Sequence, residues 1–358
     1  MTMTKKLSFS VLAALLCMNA VNAQTKITGS VDAYYRYNFD NNPDGGTLGN
    51  NSSTSFVSEQ STFNFGMASV KFEHTMGKVG AVADLGFGPK AEEFSYADEG
   101  TLLAVKQAYV YYSISDKVKL TAGKWATHVG YEVLDPQVNK NYTMSYMFTN
   151  GPFSHTGLKA DFNLGDGVGA MVGVANPIDV TDPSDGDAPK TLLAQVSKTF
   201  SKGSVYLNYA GYFGAKKSMP YAASLNQVGL TASYTVDPKF SLGFDGTLQS
   251  IKSIPDDKSY SWYGAALYGN YAVCSSFGLA LRAEYFGDKN GIKVYGDGTD
   301  GGNNIFGLTL SGNYKVGGLT FIPELRLDNA SENGLYYKAN GSDTKSTASA
   351  VLAVVYSF

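Results

Sequence analysis

The feature that most limits what this chain can become is a period-two alternation, repeated in segments of about ten residues along the sequence. Phe277-Gly-Leu-Ala-Leu-Arg-Ala-Glu-Tyr285 carries it most plainly. One face holds Phe277, Leu279, Leu281, Ala283 and Tyr285, the other Gly278, Ala280, Arg282 and Glu284. Leu319 to Asp328 sets Leu319, Phe321, Pro323, Leu325 and Leu327 against Thr320, Ile322, Glu324, Arg326 and Asp328. Near the start, Ile27, Gly29, Val31, Ala33, Tyr35 and Tyr37 oppose Thr28, Ser30, Asp32, Tyr34 and Arg36. Phe240, Leu242 and Phe244 oppose Ser241, Asp245, Thr247 and Gln249. Successive side chains on a strand point to opposite faces, so each segment reads as a strand with one apolar side. No helical stretch of useful length competes.

The connections alternate as well. Tight turns fall near Met76-Gly-Lys78, Ser115-Asp116, Gly165-Asp-Gly167, Ser201-Lys-Gly203, Asp237-Pro238, Ser275-Ser276 and Gly317-Gly318. Longer polar stretches lie between them at 40–60, 91–100, 131–153, 176–189, 214–223, 251–258, 288–302 and 329–344. Seven turns and eight loops make fifteen connections, hence sixteen strands, an even number. Short turns at one end and long loops at the other define an all-β, closed, antiparallel transmembrane barrel. Both chain ends then fall on the short-turn, periplasmic side.

A soluble sandwich also uses alternating strands. Three observations weigh against it. Charged residues are only 16% of the chain, against about 25% in average domains. The polar faces are rich in Gly, Ser, Thr and Asn, as a water-filled lumen would be. Aromatic residues, 25 Tyr and 20 Phe, recur at the ends of the apolar faces. Tyr37, Phe39, Phe87, Phe213, Tyr263, Tyr285 and Phe306 lie on the loop side. Phe72, Phe200, Tyr234, Tyr271, Tyr314, Phe321 and Phe358 lie on the turn side. Two such girdles mark lipid–water boundaries.

The first residues read as an export leader. Lys5 and Lys6 precede the apolar run Leu7 to Met18, and Val21-Asn22-Ala23 ends in small residues. The run is too short to span a bilayer. Leu16 stands where a lipoprotein reading of Cys17 would want a small residue. Cleavage after Ala23 leaves one barrel domain, 24–358, with Cys274 its lone thiol. A formal net charge of -3 removes the electrostatic case for nucleic acid. No cofactor or metal is expected.

Alternation weakens in places. Phe63 and Phe65 share a parity with Lys71 and Glu73, whereas Ala68, Val70 and Phe72 share the other; a bulge near Gly66–Ala68 would re-phase that strand. In 102–124, Lys106 and Lys124 fall on the lipid parity.

Family likeness enters through specific stretches. Gly66-Met-Ala-Ser-Val-Lys-Phe-Glu-His74 and Gly77-Lys-Val-Gly-Ala-Val-Ala-Asp-Leu-Gly-Phe-Gly88 resemble the OmpL-like β-barrel porin family, common in Bacteroidetes. So do Lys106-Gln-Ala-Tyr-Val110, Gly123-Lys-Trp-Ala-Thr-His-Val-Gly-Tyr131 and Gly151-Pro-Phe-Ser-His-Thr-Gly-Leu-Lys159. The resemblance is good over about residues 25–165 and generic beyond, except at the end. There Ala348, Ala350, Leu352, Val354, Tyr356 and Phe358 share a face, resembling the C-terminal signal read by barrel-insertion machinery. The resemblance implies a Gram-negative outer-membrane pore with no catalytic signature and with substrates largely undefined; the reading adopted is passive diffusion of small polar solutes.

Residues expected on the lumen wall are Asp32, Arg36, Asp84, Lys159, Asp161, Asp245, Arg282, Glu284, Glu324 and Arg326. The chain has three arginines, Arg36, Arg282 and Arg326, all on the lumen parity near the seam where the last strand closes on the first. Two readings stand: a charged wall that filters solutes, or structural ion pairs with Asp32, Glu284, Glu324 and Asp328. Asp84, Lys119, Lys159 and Asp161 lie opposite, and mixed signs argue against strong ion selectivity.

The third long loop, 131–153, contains Met144, Tyr146, Met147, Phe148, Pro152 and Phe153, apolar for a loop in water. It is expected to fold into the mouth and narrow the pore, with Glu132, Asp135, Tyr146 and Phe148 as constriction residues; an external or subunit contact is the alternative. Glu92, Glu93, Asp98 and Glu99 form an acidic second loop, solvated or bridged to lipopolysaccharide by divalent ions. His128 and His155 flank the third loop and could serve a barrel hydrolase, the first alternative function. A structural or adhesive barrel without an open pore is the second. Asp297-Gly-Thr-Asp-Gly-Gly302 resembles a calcium loop but lacks the closing carboxylate. Sixteen strands favour a channel, because barrels of 16–18 strands enclose water. Monomer against homo-oligomer is left open by the sequence.

Overall fold

A computed structural model describes residues 23–42, 50–183, 188–214, 222–288, 290–294 and 302–358. The proposed leader and the Asp297–Gly302 run lie almost wholly outside these residues.

Sixteen strands close into one antiparallel barrel. The first eight are β1 (Ala23–Asn38), β2 (Thr62–Met76), β3 (Val79–Phe87), β4 (Val105–Ser115), β5 (Val118–Ala126), β6 (Ser154–Gly165), β7 (Val168–Ala175) and β8 (Thr191–Phe200). Then come β9 (Gly203–Phe213), β10 (Ala222–Thr235), β11 (Phe240–Ser253), β12 (Ser259–Ala272), β13 (Phe277–Asp288), β14 (Asn303–Val316) and β15 (Leu319–Ala330). A two-stranded hairpin, β16 (Tyr336–Tyr337) with β17 (Asp343–Thr344), precedes the final barrel strand β18 (Ser346–Ser357), which pairs with both β15 and β1. Closure leaves no sheet edge, as lipid demands. The turns and long loops alternate end to end as the sequence pattern requires.

The apolar parity faces outward. All fourteen residues of the two expected aromatic bands are exposed on the outside, from Phe321 at 39% to Phe213 at 63%. The bands are partly knit by ring contacts, as between Tyr263 and Tyr285 and between Phe200 and Tyr234.

The two irregular regions have local causes. Asp32 pairs with Met67 and Ala33 with Phe65, so Gly66 is the extra residue of a bulge. A Cβ there would lie 2.0 Å from Asp32 Oδ2, so glycine alone leaves room for the carboxylate, which accepts the Met67 N–H at 3.0 Å. The slip turns Phe63, Phe65 and Phe72 all outward.

Lys106 and Lys124 correct the sequence reading: neither faces lipid. Register shifts where Asp84 pairs with Gln107 and Leu85 with Val105, leaving Lys106 as the extra residue. It is buried, its ammonium 3.1 Å from Asp84 Oδ1 and also bonded to Asp135. Lys124 follows Gly123, whose φ is 129°. It too is buried, 2.7 Å from Asp98 Oδ2. An unpaired ammonium facing lipid would be costly, and pairing removes the conflict.

The inner face is not uniformly polar. On β18 it carries Val351, Ala353 and Val355, packed with Tyr34, Val57, Tyr142 and Ile322.

Candidate functional site

The segment between β5 and β6 turns into the barrel. Tyr142, Met144, Tyr146, Met147, Phe148 and Phe153 are all at most 7% exposed. Tyr142 packs on the β18 cluster, and the other apolar side chains form two more. One joins Tyr146 and Met147 to Trp262, Phe286 and Tyr336; the other joins Met144, Phe148 and Phe153 to Phe56, Phe94 and Leu134. A short helix, α1 (Pro89–Phe94), and a second, α2 (Tyr146–Asn150), belong to this packing. Ser145 caps α2 by accepting the Phe148 N–H at 3.1 Å.

A chain entering the lumen carries backbone groups that need partners. The wall supplies them. Glu324 accepts the N–H groups of Tyr142 (2.7 Å) and Thr143 (3.0 Å), and the hydroxyls of Thr143 and Ser311. Glu284 accepts the Tyr146 N–H at 2.8 Å, and Asp245 the Tyr131 N–H at 3.1 Å. Arg282 donates to the carbonyls of Thr143 (2.6 Å) and Met144 (3.2 Å), and Arg326 to that of Met144 (2.7 Å). Glu132, on the loop itself, accepts from Ser145 N–H and Arg282. The arginines also pair with wall carboxylates: Arg282 with Glu284, Arg326 with Glu284 and Asp328.

The expected site residues therefore divide. Asp32, Asp245, Arg282, Glu284, Glu324 and Arg326 point inward, are at most 6% exposed, and hold the third loop. Asp32 receives the Tyr142 hydroxyl and lies 3.0 Å from Lys90 Nζ, which sits 3.8 Å from the Tyr142 ring centroid. Burial pushes the Lys90 ammonium below the usual lysine range, with Asp32 opposing. Arg36 stands apart: it donates to the Asn50, Asn51 and Glu59 carbonyls of the first long loop. Asp84 and Asp135 share Lys106. Lys159 and Asp161 pair with each other, half-buried, at 3.0 Å. In the acidic second loop, Glu92 and Glu99 are exposed, but Asp98 is buried on Lys124 and Glu93 accepts the Phe56 N–H.

Several anchors escaped sequence reading. Asp179 accepts the Phe153 and Ser154 N–H groups and the Tyr96 hydroxyl; burial raises its carboxyl to about 6. Asn51 zips the first loop to the last by exchanging bonds with Tyr337. Tyr336 meets the hydroxyl of Tyr146, a residue the sequence did single out, at 2.7 Å. These sit in loops, where period-two pattern carries no signal.

His128 and His155 do meet, with ring centroids 5.4 Å apart. His128 Nε2 donates to the Tyr209 carbonyl and His155 Nε2 contacts Thr127 Oγ1. Burial pushes the His128 imidazole down to about 4.

Among the described residues, cavities lie between the loop and the wall and at the turn end of the lumen. One of about 230 Å³ runs from His128 and Tyr131 to Gln195 and Ser233. A second, about 270 Å³, shares Tyr131 with it. A third, about 360 Å³ at the turn end, shares Lys140, Ser241 and Asn270 with the second.

A closed sixteen-stranded barrel, banded outside by aromatics and holding an inward loop, defines the outer-membrane porin class of proteins. The chain belongs to the family described as "Putative beta-barrel porin-2, OmpL-like", which matches residues 24–358. No curated protein matches the chain. Among solved structures it resembles the outer-membrane channel DcaP of Acinetobacter baumannii, at 15% identity and TM-score 0.62, covering 94% of this chain and 97% of that one. An anion-selective porin from Comamonas acidovorans is similar at 12% identity and TM-score 0.62, with 94% and 100% covered. OmpT of Vibrio cholerae follows at 13% identity and TM-score 0.60, with 95% and 99% covered. At these identities the likeness is one of fold.

Proposed function

We propose that this porin is a passive channel for small hydrophilic solutes in a Gram-negative outer membrane, not an enzyme. The observation that carries the reading is the inward loop. It is bound along one arc of the wall, through Asp32, Arg282, Glu284, Glu324 and Arg326, while cavities lie between it and other parts of the wall. A loop spanning part of the lumen narrows a channel, whereas a barrel meant only as a wall could be filled by short side chains. The third loop sets pore width; of its expected constriction residues Asp135 keeps a partly exposed side chain, whereas Glu132, Tyr146 and Phe148 are buried and act by holding the loop in place. Arg36, Arg282 and Arg326 shift the balance between anions and cations.

Several features accompany that reading. Lipid contacts the apolar bands, and lipopolysaccharide the loop rim. A leader ends at Ala23, and Phe358 is read by insertion machinery. One related structure is described as a trimer form of OmpT, and assembly of this chain into such an oligomer is part of the proposal.

Planar-bilayer recording tests it. Discrete conductance steps are expected, larger after removal of Met144 to Phe148. Folded protein that carries no current would leave a sealed structural barrel, and hydrolysis of labelled lipid or casein would favour the enzyme.

A further inference from the structure

The 230 Å³ cavity differs chemically from the arc that holds the loop. Its wall is Gln195, Ser204, Tyr206, Thr231 and Ser233, and its roof is the root of the third loop, ending at Tyr131. Among the described residues lining it there is no Asp, Glu, Lys or Arg. His128, also in the roof, is held neutral at pH 7 by burial, its pKa about 4.

What remains is hydroxyl, carboxamide and aromatic. Ser204 Oγ and Ser233 Oγ lie 3.0 Å apart, and either can donate. Gln195 Nε2 donates to Asn208 Oδ1 at 2.7 Å, which leaves Gln195 Oε1 as an acceptor. His128 Nε2 faces a carbonyl at 3.0 Å, so it carries the proton and is spent on the wall. Tyr131 offers a ring fixed in place. It stacks on Tyr268 with centroids 4.4 Å apart, over Gly243, where a Cβ would lie 2.4 Å from the Tyr131 hydroxyl.

We propose, resting on the channel reading above, that this arc is a binding subsite for a neutral polyhydroxylated solute of about hexose size. Each sugar hydroxyl both donates and accepts, which suits amides and hydroxyls that do the same. The C–H face of a sugar ring suits the tyrosines. A charged solute of equal size would give up hydration and find no counter-charge among the lining residues; Asp245, behind Tyr131, is already engaged by the Tyr131 N–H. The volume lies below the range of about 300–1,000 Å³ typical of drug-sized ligands, which fits one ring. Binding in a channel must also be weak enough for release.

Glucose, gluconate and glucosamine are nearly equal in size and differ in charge. The test is their saturable block of ionic current, paired with saturation-transfer NMR on folded protein in an amine-oxide detergent, which lacks a sugar headgroup. Glucose should block and show transfer, with gluconate and glucosamine at least about fivefold weaker. Tyr206→Ala should raise the half-blocking glucose concentration about tenfold. Gln195→Glu should weaken glucose and strengthen glucosamine, a reversal that general loosening of the barrel cannot produce. Equal block by all three solutes overturns the inference, as does a glucose response unchanged in both variants. If folded protein carries no current, the channel reading fails. The NMR then decides the subsite alone: transfer from glucose that Tyr206→Ala abolishes supports it, and no transfer in the wild type overturns it.

Discussion

Replacing Glu324 by glutamine should undock the third loop without opening the barrel. The carboxylate is 2% exposed and accepts four hydrogen bonds, two of them from backbone N–H groups that the loop carries into the lumen. A glutamine can keep its oxygen toward Thr143, but its NH₂ then meets the Tyr142 N–H, donor against donor. The Ser311 hydroxyl can turn to accept; the Tyr142 amide cannot. That orphaned N–H costs about 1–3 kcal/mol, and the two bonds retained at Thr143 each lose about 1 kcal/mol as the acceptor loses its charge. Relief from burying a carboxylate offsets part of this. A net loss of about 2–4 kcal/mol in loop docking corresponds to a roughly 30- to 700-fold larger undocked population. Chymotrypsin reads that population directly, because its targets Tyr142, Tyr146 and Phe148 are all buried while the loop is docked. Nicking within 142–148 should accelerate accordingly, and heat-modifiable migration of the barrel should not change. A nicking rate within twofold of the wild type would refute the anchoring argument.

Three further outcomes are expected. Leu281→Arg, on the outward face at mid-strand and 43% exposed, should destabilise the barrel by about 2–4 kcal/mol in a denaturant titration in lipid, whereas Leu281→Met should not. The His128 pKa lies near 4, below the ordinary value of about 6.5, so its neutral form favours the docked loop; that stabilisation is complete above about pH 6.5 and is lost as pH falls toward 4. With His155, Lys159 and Asp161 as its titratable and charged neighbours, chymotrypsin nicking, divided at each pH by the rate on a denatured substrate, should rise over that window and rise less in His128→Gln. Intact-mass measurement on protein from outer membranes should give the mass of residues 24–358; retention of Cys17 would overturn the leader assignment.

Period two made the barrel legible, since the outer face must be apolar at every second residue wherever it meets lipid. Strand number, turn order and both aromatic bands follow from that one constraint. It failed at Lys106 and Lys124 for a physical reason. The bulge at Lys106 shows in the sequence only as a lysine on the wrong parity, with no glycine to mark it, and each lysine has a partner on a distant loop, Asp135 in one case and Asp98 in the other. The bulge at Gly66 was legible because a phase change and a glycine coincide there.

The candidate site was half legible. Parity placed Arg282, Glu284, Glu324 and Arg326 on the inner face, and apolar content marked the third loop as inward. What parity cannot give is the partner. Four charges near one another on a barrel wall look like a filter or a set of mutual ion pairs. In the fold they also meet a peptide backbone, which has no sequence signature because every residue carries the same N–H and C=O groups. Asp179 and Asn51 were missed for the same reason: both act on backbone, from loops.

The two faces of this barrel therefore answer to different partners. Outward side chains meet lipid, and their substitution changes the free energy of the barrel. Many inward side chains of β1, β11, β13 and β15 meet the third loop, and their substitution changes where that loop rests. The strand ladder itself uses neither set, only main-chain bonds, so the two effects should be separable. Leu325 and Glu324 are adjacent in one strand, yet Leu325→Ala should alter barrel stability with the nicking rate unchanged, and Glu324→Gln the reverse. If a single residue step along β15 does not divide the two effects in this way, loop and wall are one cooperative unit, and the channel would then be widened only at the expense of the barrel that contains it.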